Sequence, residues 1–395
     1  MDNILVAFDL GTSQIKGVVA KKEGESFEIL SAKSFPSFGI RRGMIVNPEA
    51  VSKILKELKK ELEHSAGIKI DEAAVNIGGH HIFSKEVKGA IAISRADQKV
   101  SQEDIDRVIE EASKINLPLN KEIIEVYPKN FILDGEGGIK NPLNLKGIKL
   151  EVEGLAVCAF SPYIRNLENV LDNAQIQPLI ILPSPLASAE STLTDRQKEL
   201  GVALVEIGAG TIQMAVFEED ALIDLAIFPL GSLNITNDIA VALQTEIEIA
   251  NKIKEKFGEL AFKSTKRTEK FQLKDGEEFH FSTKKLSKAI KARVEEIIAL
   301  IKNELKRIDK IKDLPGGIVL TGGGAKLKGL VEYTKKSIAL PVRKAKPTGF
   351  SGYNLDEEWA TVCGLLKILD KEDFEEERKN TFFQKIKKAL KFFVP

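Results

Sequence analysis

Cysteine is nearly absent. Cys158 and Cys363 stand about two hundred residues apart, and with only four scattered histidines they offer neither a disulfide framework nor a clustered zinc site. A reducing cytoplasm is the expected compartment. Charge of one sign is lacking too: 58 basic side chains balance 58 acidic ones, so the chain has no cationic field of the kind nucleic-acid binders use, and DNA or RNA is excluded as the main partner. No uninterrupted apolar run approaches the roughly 18 residues that span a bilayer, so any membrane contact should be peripheral. The opening MDNILVAFDL has no basic start followed by a long apolar run, and no signal peptide is expected. Neither G-x-x-x-x-G-K-[ST] nor G-x-G-x-x-G occurs, which removes the P-loop and Rossmann modes of phosphate binding.

What is present is ample apolar material. The chain has 395 residues, 43% of them hydrophobic, which predicts two to four domains with more than one core and excludes disorder as the main state. Residues 3–8 and 15–20 read as two buried strands around the turn DLGTSQ, a third strand follows near 27–33, and Asn47-Pro48 opens a helix with Val51, Ile54, Leu55, Leu58 and Leu62 on one face. A strand at 73–77 closes this block. From about 82 to 160 the character changes to a small α+β module: Ser101 and Asp104 form a capping-box start for a helix, and strands follow at 130–133 and 147–159. Ser161-Pro162 starts another helix, and the short run 179–182 leads into Pro183-Ser184-Pro185.

Residues 201–217, GVALVEIGAGTIQMAVF, repeat the N-terminal pattern of strand, acid, glycine turn and strand. The acids Asp9 and Glu206 are 197 residues apart; pairing them, Gly11 with Gly208 and Thr12 with Thr211, implies an internal duplication. Residues 243–309 interrupt the second copy with a hairpin turning at 274–277 and a long helix through Leu286, Ile290, Val294, Ile297, Ile301, Leu305 and Ile308. A strand at 317–321, the turn Gly322-Gly323-Gly324 and a helix from Lys326 follow.

Two glycine turns facing each other across a cleft suit a polyphosphate, because glycine lets backbone N–H groups approach phosphate oxygens. Gly11, Gly208, Ala209 and Gly210 would line it, with hydroxyls from Thr12, Ser13 and Thr211 and the ammonium of Lys16 as further donors. Asp9, and less ideally Glu206, would hold a hydrated Mg²⁺. Gly322, Gly323 and Gly324, with Lys326 beyond, would admit a base or a phosphate at a helix N-terminus.

In this order and spacing the three turns match the two phosphate motifs and the adenosine motif of the actin/Hsp70/sugar-kinase ATPases, and Trp359-Ala-Thr-Val-Cys-Gly-Leu365 resembles their connecting helix. Within that superfamily the chain resembles the FtsA family of cell-division actin homologues over nearly its whole length, through DLGTSQIKG, PSFGIRRGMIVN, GGHHI, residues 138–142, LKGIKLEVEGLAV, PSPLASAESTLT, ITNDIA and GGIVLTGGGAKLKGL. The resemblance implies an α/β, actin-like (RNase H-like) duplicated two-lobe fold with an inserted α+β subdomain and a C-terminal amphipathic helix. Lobe one would comprise 1–81 and 161–192 with 365–370, the inserted subdomain 82–160, lobe two 193–242 and 310–364, and a small subdomain 243–309. An acidic linker, 371–379, and a membrane-targeting helix, 380–395, would follow.

The resemblance also implies ATP and Mg²⁺ as cofactors, with Gly231 and Lys254 among the nucleotide contacts. Self-assembly into filaments and binding of the C-terminal peptide of FtsZ are implied as well, the latter through Arg293 with Lys284, Lys285 and Lys288 nearby. The implied location is the cytoplasmic face of the membrane at the division septum, with later division proteins as further partners. The second motif departs from the family's D-x-G-G-G-T: Glu206, Ala209 and Gln213 replace Asp, Gly and Asp, Ser184 stands where Hsp70 relatives place a glutamate before proline, and Asn251 replaces a glutamate before Lys254. Displacements of about 1 Å cost on the order of 10²-fold in rate, so Asp9 would position water and metal, Glu206 would be a weak catalytic group, and turnover should be slow or negligible.

The tail is legible from physics alone. On a helix, Phe382, Phe383, Ile386, Ala389, Leu390 and Phe393 share one arc, Lys385, Lys387, Lys388 and Lys391 take the other, and Phe392 is the exception. Each well-buried large apolar side chain contributes about 1.5–3 kcal/mol, and each lysine near an anionic surface about 1 kcal/mol. The expected result is reversible binding to anionic lipid, strengthened when several protomers engage together. The main alternative is a pilus-assembly adaptor of the PilM kind, which should lack such a tail; a soluble actin-like ATPase or kinase, or an Hsp70-type chaperone, fits less.

Overall fold

The computed structural model describes residues 4–260, 268–272 and 278–373, with side chains through 371. β1 (Ile4–Leu10) and β2 (Gln14–Glu23) pair antiparallel with Leu10 opposite Ile15, and β3 (Ser26–Pro36) completes a meander. A tiny ribbon of β4 (Ile40–Arg41) and β5 (Met44–Ile45) precedes α1 (Pro48–Ala66). The Asn47 side chain accepts from the Ala50 N–H at 3.1 Å, which caps α1, and the helix buries Val51, Leu55, Leu58 and Leu62 against β2 and β3. β6 (Glu72–Ile77) then lies parallel to β1.

The module beyond β6 contains β7 (Phe83–Ala92), α2 (Gln102–Ala112), β8 (Lys121–Leu133), β9 (Glu136–Ile139) and β10 (Lys149–Phe160). They form a separate sheet, ordered β7-β10-β8-β9, with its own core around Val87, Val108, Leu150 and Val152. β7 and the first half of β8 are rich in Lys and Glu on their exposed face, which hides the apolar alternation in the sequence. Asp104 is the keystone here. Its carboxylate accepts from the Ser101 N–H at 3.0 Å, from the Ser101 hydroxyl at 2.6 Å and from the Ser94 hydroxyl at 2.9 Å. Asp104→Ala leaves these donors unsatisfied around a buried site, and urea unfolding should show a loss of about 2–4 kcal/mol.

α3 (Ser161–Ala174), β11 (Gln177–Pro183), α4 (Ser184–Thr192) and α5 (Asp195–Leu200) return the chain to the main body. Pro183-Ser184-Pro185 is a helix start rather than a mere break: Pro185 sits in the first turn of α4, where its missing N–H costs nothing. The second lobe follows with β12 (Val202–Ile207), β13 (Ile212–Glu218), β14 (Ala221–Phe228), α6 (Ser232–Leu243), α7 (Ile247–Phe257), β15 (Thr268–Gln272), β16 (Glu278–Ser282), α8 (Thr283–Arg307), β17 (Ile318–Thr321), α9 (Leu330–Ile338), β18 (Val342–Lys344), β19 (Phe350–Ser351) and α10 (Ala360–Asp373). β15 and β16 pair with Phe271 opposite Phe279; the turn read at 274–277 lies outside the described residues.

The duplication is explicit in the topology. The sheet orders are β3-β2-β1-β6-β11, with β19 added beyond β3, and β14-β13-β12-β17-β18: each is an antiparallel meander extended by two parallel strands. Helices cover both faces of the first sheet, α1 on one and α4 with α10 on the other, which is why its central strands read as continuous apolar runs. In the second lobe α6, α7 and α8 share one core with the sheet, through Ile239, Ile253, Ile290 and Val294.

Three sequence readings are corrected. β19 lies in a stretch assigned to lobe two yet pairs with β3 of lobe one, because Phe350 stacks on Phe27 at 5.2 Å. No helix starts at Lys326: Gly323–Lys326 is a single 3₁₀ turn, and α9 begins only after Gly329, whose φ of 79° breaks the chain direction. Residues 371–373, read as linker, are the last turn of α10. The amphipathic segment 380–395, with Phe382, Phe383, Lys385, Ile386, Lys387, Lys388, Leu390, Lys391 and Phe393, lies outside the described residues. Among the described residues no helix is long and apolar enough to cross a membrane.

Candidate functional site

The two glycine turns have the same length and closure: the Gly11 N–H donates to the Gln14 carbonyl at 3.0 Å, and the Gly208 N–H to the Thr211 carbonyl at 2.9 Å. This corrects the sequence pairing of Thr12 with Thr211. With Leu10 opposite Ile15 and Ile207 opposite Ile212, the counterpart of Thr211 is Gln14, and that of Thr12 is Ala209. By the same register Lys16, opposite Asp9, corresponds to Gln213, opposite Glu206.

The turns meet. A Cβ on Gly210 would stand 2.8 Å from the Thr12 side chain and 3.1 Å from the Cα of Arg42, so only glycine lets the lobes approach this closely. Among the described residues the N–H groups of Thr12, Ser13, Ala209 and Gly210 donate to no protein acceptor, whereas the carbonyls of Gly208 and Ala209 are taken by the Ser232 and Leu233 N–H groups at the start of α6. Gly231 makes that docking possible, since a Cβ there would fall 2.5 Å from the Ala209 carbonyl oxygen. Donors left over on both sides of one cleft are what an anion requires.

Below the turns lie the acids. Asp9 is buried; Asn76 Nδ2 donates to its Oδ1 at 2.8 Å, and Lys16 Nζ lies 3.6 Å from its Oδ2. Asn76 is itself clamped, accepting from the Leu10 N–H at 2.7 Å and donating to Ser184 Oγ at 3.0 Å. Burial raises the Asp9 pKa, while Lys16 and Asn76 pull the other way. Glu206 accepts from the Ser188 hydroxyl at 2.7 Å and the Thr361 hydroxyl at 3.0 Å, one from each connecting helix. Its burial and the charge of Asp9 push its pKa up to about 7. Across the strand pair, Gln213 Oε1 is buried without a hydrogen-bond partner.

Two buried carboxylates sensing each other, one lysine and an orphaned amide oxygen fit a hydrated divalent cation. No group of three metal-ligating side chains occurs among the described residues, so such an ion would take most of its oxygens from water and phosphate, as Mg²⁺ prefers. Lys16 also donates to the Glu358 carbonyl at 2.7 Å. Gly322 and Gly324 pack on Glu206 and Ile207, and Gly323 abuts the Glu358 side chain, which brings the third turn to the same cleft. Lys326 is occupied by Asp356 and Glu358. Lys254 reaches from α7 to α6, donating to Thr236 Oγ1 at 2.8 Å, and burial holds its pKa below the usual lysine range.

The basic residues read on α8 do not form one patch. Arg293 is bidentate to Asp238 of α6, at 2.7 and 3.0 Å, and also pairs with Glu296. Lys284, Lys285 and Lys288 are exposed, and at 100° per residue Lys284 points about 180° away from Arg293. Sequence reasoning missed Asn76, Ser188 and Thr361 as partners of the acids, and no local spacing signals them: they lie 67, 18 and 155 residues from the carboxylates they serve.

Two copies of one sheet-and-helix lobe, joined by α4 and α10 over a cleft lined by matched glycine turns, define an actin-like protein. The PilM–PilN type IV pilus biogenesis complex superposes with a TM-score of 0.69, covering 92% of this chain and 98% of that one at 16% identity. MreB5 of Spiroplasma citri bound to ADP superposes at 0.57, covering 94% and 98% at 13% identity. These identities show the fold alone. The description "Cell division protein FtsA" matches residues 203–364, and "SHS2 domain inserted in FTSA" matches 79–158. The cell division protein FtsA of Bacillus subtilis (strain 168) is 32% identical over 370 residues, covering 93% of this chain and 83% of the relative; that of Pseudomonas aeruginosa is 31% identical, covering 92% and 88%. The chain belongs to the FtsA family of cell division proteins. The pilus alternative, supported by fold likeness alone, is not favoured.

Proposed function

We propose that this protein binds Mg·ATP between its lobes, assembles into actin-like filaments and holds FtsZ at the cytoplasmic face of the membrane through its C-terminal segment, at the septum where later division proteins join. The observation that carries the nucleotide reading is the convergence of free N–H donors from both glycine turns with Asp9 and Glu206 in one cleft. Bound Mg²⁺ would neutralise phosphate charge. Asp9 and Glu206 would orient its water shell, Lys16 would add a positive charge, and Gly231, Gly322 and Gly324 would keep the walls close.

Turnover should be slow. Ser184, in the position read as water-orienting, is engaged with Asn76 and with the Ile77 carbonyl at 3.3 Å, and both Glu206 oxygens are held by hydroxyls. Among the described residues, the acids beside the turns are therefore already engaged. The exposed Lys284, Lys285 and Lys288 suit an acidic peptide better than Arg293, whose charge is already matched by Asp238 and Glu296.

Co-sedimentation tests the tether. With anionic liposomes, Mg·ATP and the FtsZ C-terminal peptide, the full chain should pellet and carry the peptide, while a truncation ending before Asn380 and Phe383→Glu should stay in solution. Equal pelleting of all three would remove the tail from membrane binding.

A further inference from the structure

We propose that Arg42 contacts the terminal phosphate of a nucleoside triphosphate held between the glycine turns and makes the cleft select triphosphate over diphosphate. This rests on the nucleotide reading above. Arg42 and Gly43 form the two-residue turn of the β4–β5 ribbon, with Ile40 opposite Ile45 and Arg41 opposite Met44. Both turn residues are left-handed, with φ of 51° and 76°. Such a turn favours Asn, Asp or Gly at its first position, because a longer L side chain strains there.

The ribbon is fixed between the two phosphate turns. The Gly43 N–H donates to Thr12 Oγ1 at 2.9 Å, a Cβ on Gly43 would strike the Gly79 backbone at 2.6 Å, and the Arg42 Cα abuts Gly210 from the other lobe. The Arg42 backbone thus touches both halves of the cleft beside the free N–H donors. Its guanidinium is exposed and makes no hydrogen bond or ion pair with the described residues. The other cations at the cleft are engaged: Lys16 by Asp9 and the Glu358 carbonyl, Lys326 by Asp356 and Glu358, and Lys254 by α6. An uncommitted planar fork of donors carried on this backbone suits a phosphate bidentately, and the last group of a triphosphate, which extends further than that of a diphosphate, would be the one to reach it.

The test is titration of the full chain with Mg·ATP and Mg·ADP, alongside thermal unfolding, for the native protein, Arg42→Gly, Arg42→Lys and Arg41→Ala. Glycine is at home at this φ, so Arg42→Gly should fold at least as stably as the native chain while losing about 10- to 100-fold in ATP affinity, the worth of a charge-assisted hydrogen bond, with ADP affinity nearly unchanged. Arg42→Lys should fall between, and Arg41→Ala should match the native chain. An unchanged ATP-to-ADP ratio in Arg42→Gly, or an equal loss in Arg41→Ala, overturns the assignment and leaves the nucleotide reading intact. A native chain that binds neither nucleotide overturns both.

Discussion

Gly364→Ala should destabilise the protein by about 3 kcal/mol or more, the upper end of what overpacking a core costs and a large fraction of a typical 5–15 kcal/mol total. A Cβ at Gly364 would lie 1.6 Å from the Ala187 carbonyl oxygen and 2.4 Å from its carbon. Backbone cannot swing aside as a flexible side chain can, so α10 and α4 must part. Their contact is bonded as well as packed: Ser191 donates to the Ala360 carbonyl at 2.7 Å, and the Ser188 and Thr361 hydroxyls lie 3.0 Å apart. Separation also draws those hydroxyls from Glu206, so the variant should lose nucleotide affinity together with stability. Urea unfolding and nucleotide titration of one preparation check both; a cost below about 1 kcal/mol would show that the helices slide apart freely.

Glu206→Gln should raise stability at pH 8 by an amount on the order of 3 kcal/mol relative to its effect at pH 4, and should weaken Mg-dependent nucleotide binding. Burial, with the charge of Asp9, lifts the Glu206 pKa from 4.5 to about 7. Between those values the folded protein holds a proton that the unfolded chain has released, so this stabilising contribution is complete below about pH 4.5 and lost by about pH 7. His81 acts oppositely. Burial lowers its pKa from 6.5 to about 4, and stability rises with pH through that window. The two trends oppose each other in the native protein, so the informative quantity is the difference between Glu206→Gln and native unfolding free energies at each pH. That difference should grow from pH 4.5 to 7 and then level; a flat difference would show that Glu206 is ionised throughout.

Much of the fold is written locally. The Asn47-Pro48 helix start, the Ser101–Asp104 capping box, the apolar face of α8 and the two strand-turn-strand units are each specified by neighbours within a few residues, and each stands where the local pattern places it. Failures fall where distant parts decide. α4 begins in a Pro-Ser-Pro run and is helical because α10 packs on it; β19 joins β3 across more than three hundred residues because Phe350 finds Phe27; Arg293 looks free until α6 brings Asp238 to it.

The site divides the same way. By itself the sequence determined where the two matched turns lie and which acid precedes each, because glycine turns, short hydroxyls and an acid at a strand end are chemical types with a fixed spacing, and their repetition 197 residues later implied two lobes. Only the tertiary structure decided that Thr12 is matched by Ala209, that Lys326 is already paired, that Glu206 takes its donors from two helices and that Arg42 stands uncommitted between the turns. Register, pairing and protonation depend on which groups burial brings within about 3 Å, and that distance is set by packing between segments the sequence keeps far apart.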